Sequence, residues 1–208
     1  MAWSWITSLV LTPIAVVVVF VALLFPAGSM TAAENDCDAG EVAGRDCSET
    51  AWRYTWTLSG EDMRRTDETN GTRDSRVEQR SWAEASADDV LGADSVRTAR
   101  TLAFVALGLG LFGMALVIVG RFVHVSLGIA GGVLGIVMLL LAGFAILLAW
   151  QGLSDIGTGI KADLRANDLN WASKGPFMGL GLIILGVGGV LGAVGGIFGT
   201  LPGGYRRR

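Results

Sequence analysis

The sequence predicts a mainly α membrane protein: a four-helix transmembrane bundle that carries a small antiparallel β head outside the bilayer. Three observations predict it. Four apolar stretches, Ile6–Phe25, Thr101–Gly120, Val125–Trp150 and Phe177–Gly199, contain no Asp, Glu, Lys, Arg or His. Each is long enough to cross a hydrocarbon core of about 30 Å, which takes about 20 helical residues. All 19 acidic residues fall in two of the segments between those stretches, 34–94 and 155–168. Finally, hydrophobic residues make up 51% of the 208 and the mean hydropathy is +0.52, more apolar surface than a soluble domain of this size can hide.

An even number of crossings puts both acidic segments on one side and both termini on the other. The chain then divides into a first span at 1–25, a head at 26–100, spans at 101–120 and 125–150 joined by a turn at 121–124, a second outer loop at 151–176, a fourth span at 177–199 and a basic tail at 200–208. The head carries 16 acidic residues against nine Arg and no Lys, whereas the turn and tail hold Arg121, Arg206, Arg207 and Arg208 with no acidic residue. Orientation follows Lys and Arg near the span ends, and here Arg97, Arg100, Lys161, Arg165 and Lys174 nearly balance the other side. Two further cues place the head outside the cell membrane and both termini in the cytoplasm. Cys37 and Cys47 are the only cysteines, and an even count close together suits a disulfide in an oxidising compartment. Asn70-Gly71-Thr72 is a glycosylation acceptor pattern. The small residues Ala27-Gly28-Ser29 also admit a signal-peptide reading, but the preceding run is long and no basic residue comes before it, so the first span is expected to be retained.

Within the head, Trp52, Tyr54, Trp56 and Leu58 alternate with Arg53, Thr55 and Thr57, the period of a strand with one buried face. Asn70-Gly71 is a strong hairpin signal, because both turn positions favour positive φ. The expected sheet is a three-stranded meander over 50–58, 62–69 and 72–82, with a helical or unstructured 62–82 as the alternative. Trp52, Tyr54, Trp56 and Trp82 are the candidates for head packing or partner contact, since aromatic side chains dominate interface energetics. A helix is expected to start near Asp89 with Asp88 or Ser86 as its cap, and Ser95 is a second candidate cap. In the second outer loop, Ile156, Ile160 and Leu164 form a short amphipathic stripe, expected to lie along the interface between Trp150 and Trp171.

Glycines crowd the last three spans. Gly128 and Gly132, and Gly188, Gly192 and Gly196, are four residues apart. Small residues at this spacing let helix backbones approach closely, within one bundle or between copies. The absence of ionisable residues in the spans argues against a proton-coupled pump, because such pathways need them. No cofactor or metal site is expected. His124 is the only histidine, and it sits beside Arg121 in the turn, facing lipid headgroups as Arg206–Arg208 do. The carboxylate pairs Glu61-Asp62 and Asp88-Asp89 read as solvated surface. Without a usable His no nucleophile–base pair can be assembled, so no enzyme activity is expected. Nucleic acid is excluded as a partner of the acidic head, since phosphate repels it.

The layout resembles the claudin and peripheral-myelin-protein superfamily of four-span membrane proteins. The similarity lies in a long first outer loop holding Cys37 and Cys47 with nine residues between them, a β-rich head, a short inner turn and a smaller second outer loop. Arg97-Thr98-Ala99-Arg100 leads into a Gly-rich span ending Val119-Gly120-Arg121, as those proteins enter and leave their second span. The family's Trp–Gly-Leu-Trp signature before the first Cys is absent, and Trp52 and Trp56 follow the second instead. The resemblance implies adhesion or paracellular sealing. The expected function is therefore contact: membrane lipids, further copies of the chain or other membrane subunits as partners. The alternatives are an accessory subunit of a larger complex, and a channel or transporter for a neutral or lipidic solute.

Overall fold

The computed structural model describes residues 3–36, 48–58, 63–69, 72–78, 81–166 and 171–200. In chain order the elements are α1 (Trp3–Leu24), β1 (Pro26–Asp36), β2 (Ser48–Thr57), β3 (Met63–Thr69), β4 (Thr72–Glu78), α2 (Trp82–Ala87), α3 (Ala93–Phe122), α4 (Val125–Ala166), β5 (Trp171–Met178) and α5 (Leu180–Thr200). Four helices, α1, α3, α4 and α5, are long and apolar enough to cross a membrane. They take helical form because a helix satisfies nearly all of its backbone hydrogen bonds within the segment, and their mainly apolar side chains compete little with that pattern.

α3 and α4 are joined only through Val123 and His124, so they lie side by side and antiparallel. The Ser126 N–H donates to His124 Nδ1 at 3.3 Å, and Ser126 Oγ stands 2.8 Å from the same nitrogen. The His124 ring thus caps the first turn of α4. At the opposite end β1 follows α1 directly and β5 runs directly into α5, so all five strands gather at one end of the bundle.

The strands form one antiparallel sheet in the order β4-β3-β2-β1-β5. Thr69 pairs with Thr72, leaving Asn70-Gly71 as a two-residue connection, and Trp56 pairs with Met63 across β2–β3. The expected meander is present as β2, β3 and β4, and two strands the sequence did not announce extend it. β1 pairs with β2 from Gly28↔Trp56 to Asp36↔Ser48, and β5 comes from the second loop. β1 escaped notice because its inward residues are small: Ala27, Gly28 and Ala32 are buried with Met30. A Cβ at Gly28 would lie 2.7 Å from Leu153 Cδ1 and 3.3 Å from Trp56 Cε3, so larger side chains have no space there.

Three expectations are corrected. Trp82 does not end a strand; it opens α2. Ser81 accepts from the Glu84 N–H at 3.2 Å while Glu84 Oε2 accepts from the Ser81 N–H at 3.1 Å, a complete capping box. No helix starts near Asp89 under a cap from Asp88 or Ser86, and Ser95 caps none. Asp88 closes α2, Asp89 has φ 53°, and Gly92 at φ 84° opens α3 at Ala93, with Ser86 Oγ donating to Asp94. The stripe of Ile156 and Ile160 does not lie flat, because α4 continues unbroken through Trp150 for 42 residues, about 63 Å at 1.5 Å per residue.

The last part of α4 is a post on which the head rests. Leu153 and Ile156 are buried, Gly152 meets the backbone of Gly92, and Gly157 abuts Pro176. Lys161 Nζ donates to the Gly175 carbonyl at 2.7 Å, fixing β5 to the post. One hydrophobic cluster runs continuously from Trp56, Leu58 and Trp82 through Val96 and Leu153 into the bundle. Trp82 also donates from Nε1 to the Thr57 carbonyl at 2.8 Å, tying α2 under the end of β2. Replacing Trp82 by Phe keeps most of the burial but leaves that carbonyl unpaired, a loss of about 1–2 kcal/mol. The expected outcome is a lower thermal midpoint for the head and faster amide exchange across β2; unchanged exchange would contradict the tie.

Candidate functional site

With no ionisable group in the apolar stretches, what the bundle offers is shape, and glycines define it. On α5, a Cβ at Gly188 would lie 2.6 Å from Val19 Cγ2, one at Gly195 would lie 2.9 Å from Thr12 Oγ1, and one at Gly199 would lie 2.9 Å from Ser8 Oγ. These three face α1. Gly196 faces the other way, against α4, where a Cβ at Gly132 would lie 2.6 Å from the Gly196 carbonyl. Gly120 sits on the backbone of Gly128, and a Cβ at Gly131 would lie 2.6 Å from the Gly113 carbonyl. Gly128, Gly132, Gly188, Gly192 and Gly196 therefore all face neighbours within the same chain. The α5 stripe has no glycine left over for a second copy, and its outward face carries Leu180, Ile183, Val187, Val190 and Ile197, each about half exposed.

Met138, which the sequence gave no reason to single out, joins the helices at one level. Its Sδ lies 2.8 Å from where a Cβ of Gly110 would be and 3.1 Å from that of Gly192, and Val16 Cγ2 comes within 3.1 Å of the Gly110 position. Four helices meet there. Ten residues along the helices from this level lie Ile6, Gly120 and Gly128 at one end, and Arg100, Leu148 and Leu182 at the other. At 1.5 Å per residue that is about 15 Å each way, matching half of a hydrocarbon core of about 30 Å. Arg100 stands at the head-side limit, its guanidinium 5.8 Å from the centre of the Phe104 ring.

Among the described residues, two polar side chains are buried in the apolar interior. Ser8 is 0% and Thr12 3% exposed, and neither hydroxyl has a hydrogen-bond partner. They are one turn apart on α1 and face Gly199 and Gly195. The spacing of the two was visible in the sequence, but their burial depends on how α1 meets α5.

In the head, the Tyr54 and Trp56 rings stack at 6.3 Å between centroids and 14° between planes. Trp56 is fully buried, Tyr54 is 8% exposed and Trp82 is 1% exposed. Of the two roles the sequence left open for these three, head packing or partner contact, they take the first and pack the chain's own interior, because the sheet lays this face on the α4 post. Trp52 lies two residues before Tyr54 in β2, in register with Ala32 and Asp67. Arg53, on the alternate face, is exposed. Cys37, Cys47, Asn70, Arg206, Arg207 and Arg208 lie outside the described residues, and Arg121 falls in the last turn of α3. Asp88 and Asp89 are exposed, and among the described residues no three His, Cys, Asp or Glu side chains converge as cation ligands would.

No protein-family model matches this chain, and no curated protein matches it.

The contact at Met138 yields a test of which glycines are steric and which are backbone contacts. Gly110→Ala and Gly192→Ala each press on a flexible thioether, at an expected loss of about 1–3 kcal/mol. Adding Met138→Ala should restore part of it. Gly132→Ala presses on the Gly196 backbone and should gain nothing from Met138→Ala. Thermal unfolding in detergent, run as double-mutant cycles, reads both; equal coupling in the two cases would contradict the arrangement.

Proposed function

We propose that this chain is a multi-pass protein of the cell membrane, with both termini cytoplasmic, that acts without catalysis by presenting a rigidly mounted head for contact. The observation that carries this reading is the continuity of α4. One helix serves as an apolar membrane-length segment and, beyond Trp150, as the support of the sheet. A head fixed in this way cannot swing on a linker, so its position follows that of the bundle. The lipid-facing residues on the four helices are apolar, among them Val10, Val17, Phe112, Leu140, Phe144 and Val187. The assembly of the sheet from two outer segments, above a bundle closed at its far end by a short turn, supports the claudin-type resemblance and the adhesive role it implies.

The cysteines fit the same reading. They directly follow Asp36 and directly precede Ser48, the last register pair of β1 and β2. That adjacency supports a disulfide between Cys37 and Cys47, contributing about 2–3 kcal/mol by closing a short loop. A second reading, docking of another subunit's helix, is favoured by Gly108 and Gly143. A Cβ at either would meet nothing within 4 Å, so packing within the chain does not account for their small size.

Two outcomes are expected. An impermeant thiol reagent applied to intact cells should label Cys37 and Cys47 only after reduction; labelling without reductant would remove the disulfide, and labelling only after lysis would place the head on the wrong side. Gly108→Leu or Gly143→Leu should release co-purifying subunits or copies in mild detergent while the thermal midpoint of the chain holds or rises, because Leu is more favourable than Gly in an open-sided helix position by up to about 1 kcal/mol. Retention of the same assembly by both variants would remove the docking reading.

A further inference from the structure

The end of the bundle away from the head holds an arrangement that packing alone does not explain. Ser8 Oγ and Thr12 Oγ1 are buried without partners, which is unfavourable for a hydroxyl in an apolar interior. The wall they face is glycine: Gly195 and Gly199 of α5, with Gly132 of α4 3.6 Å from the Gly199 Cβ position. Glycine Cα–H groups are weak donors at best. Immediately after Thr12 comes Pro13, inside α1. Proline has no N–H, so the Leu9 carbonyl loses its intrahelical donor, and the ring pushes the helix to bend at this point. In membrane helices, nearby Ser or Thr hydroxyls or ordered waters re-satisfy the groups that proline frees. Here the two adjacent hydroxyls are themselves unpaired.

We propose that Ser8 and Thr12 form a polar site for water, or another small uncharged hydrogen-bonding molecule, which opens when the turns of α1 before Pro13 swing away from α5. The closed seam is the dry form. A modest rotation about Pro13 separates Ser8 from Gly199 and Thr12 from Gly195, and it leaves Ala15, Val19 and the Met138 contact above the hinge in place. Glycines on the α5 side suit both states, because they let the helices close completely and leave no side chain in the opened cleft. The proposal rests on the membrane reading above, since burial in lipid is what makes the hydration selective.

The test is solvent access at single cysteines in the full chain, reconstituted in phosphatidylcholine liposomes and treated with 2-hydroxyethyl methanethiosulfonate. The reagent attacks thiolate, which forms only where water reaches. The variants are Ser8→Cys, Thr12→Cys, Val117→Cys and Val10→Cys, with the unsubstituted chain as background. Val117 is 2% exposed at comparable depth, but faces Gly131 across the α3–α4 seam. Val10 is 50% exposed on the lipid side of α1. Ser8→Cys and Thr12→Cys should react at least tenfold faster than Val117→Cys and Val10→Cys, and Pro13→Ala should slow both by a similar factor. Rates at 8 and 12 equal to that at 117 would overturn the site, and rates indifferent to Pro13→Ala would overturn the hinge. Rapid modification of Val10→Cys would instead overturn the membrane reading, so the two failures are distinguishable.

Discussion

Direct approach of helix backbones is the constraint on which this structure depends. On the membrane reading proposed above, lipid tails are as apolar as the helices they surround, so burying Leu against Leu gains little there, and cohesion must come from close contact and dispersion. The chain meets that demand with glycine at each seam: Gly120 on Gly128, Gly113 on Gly131, Gly132 on Gly196, Gly188 on Val19. These contacts are short-range, so each fixes the axial register of a helix pair within a fraction of a turn. Met138 is the exception that completes the pattern. It fills the central gap with a flexible thioether where two glycines, Gly110 and Gly192, have cleared the space.

Register set in the bundle is transmitted to the head through α4. The Gly92–Gly152 contact brings the start of α3 against α4 just beyond Trp150, and Leu153 then lies between Gly28 of β1 and the core below. The sheet is thus built on two helices whose relative height is already fixed. Its inner face, Met30, Tyr54, Trp56 and Leu58, packs down onto this base, and Trp82 secures the end of β2 nearest the bundle. For a protein whose proposed role is to hold a surface in place, rigidity of this kind matters more than any single exposed residue.

Much of this was legible in the sequence, and the rest was not for identifiable reasons. The spans could be read because charge is excluded from them, and the Asn70-Gly71 hairpin because its turn chemistry is restrictive. The alternation of Trp52, Tyr54 and Trp56 gave β2 and its buried face. β1 was hidden because the face it buries is Ala27, Gly28 and Ala32, residues small for steric reasons that exist only once Trp56 and Leu153 are in position. Ser81 and Glu84 spell a capping box, but Trp82 looked like the end of a strand pattern and drew the boundary too late. The length of α4 was underestimated because hydropathy measures suitability for lipid, whereas a helix leaving lipid needs only a surface to lie against, and the head provides one. The glycine positions were visible as spacing, but not the choice between neighbours in the chain and neighbours outside it, which depends on three-dimensional arrangement.

The distribution of glycine separates two physical roles that spacing alone merges. Gly188, Gly192 and Gly196 are small because a neighbouring backbone or Met138 occupies the space a side chain would need, whereas Gly108 and Gly143 have open space beside them. The first set explains why the bundle closes; the second explains nothing inside it. A glycine in a helix interior is unfavourable by about 1 kcal/mol relative to Ala, so an open-sided one calls for a reason outside the chain. Ser8 and Thr12 pose the complementary problem, polar groups where nothing polar meets them. Both anomalies lie on the helices and not in the sheet, so the helices contribute more to the proposed function than a pedestal for the head would.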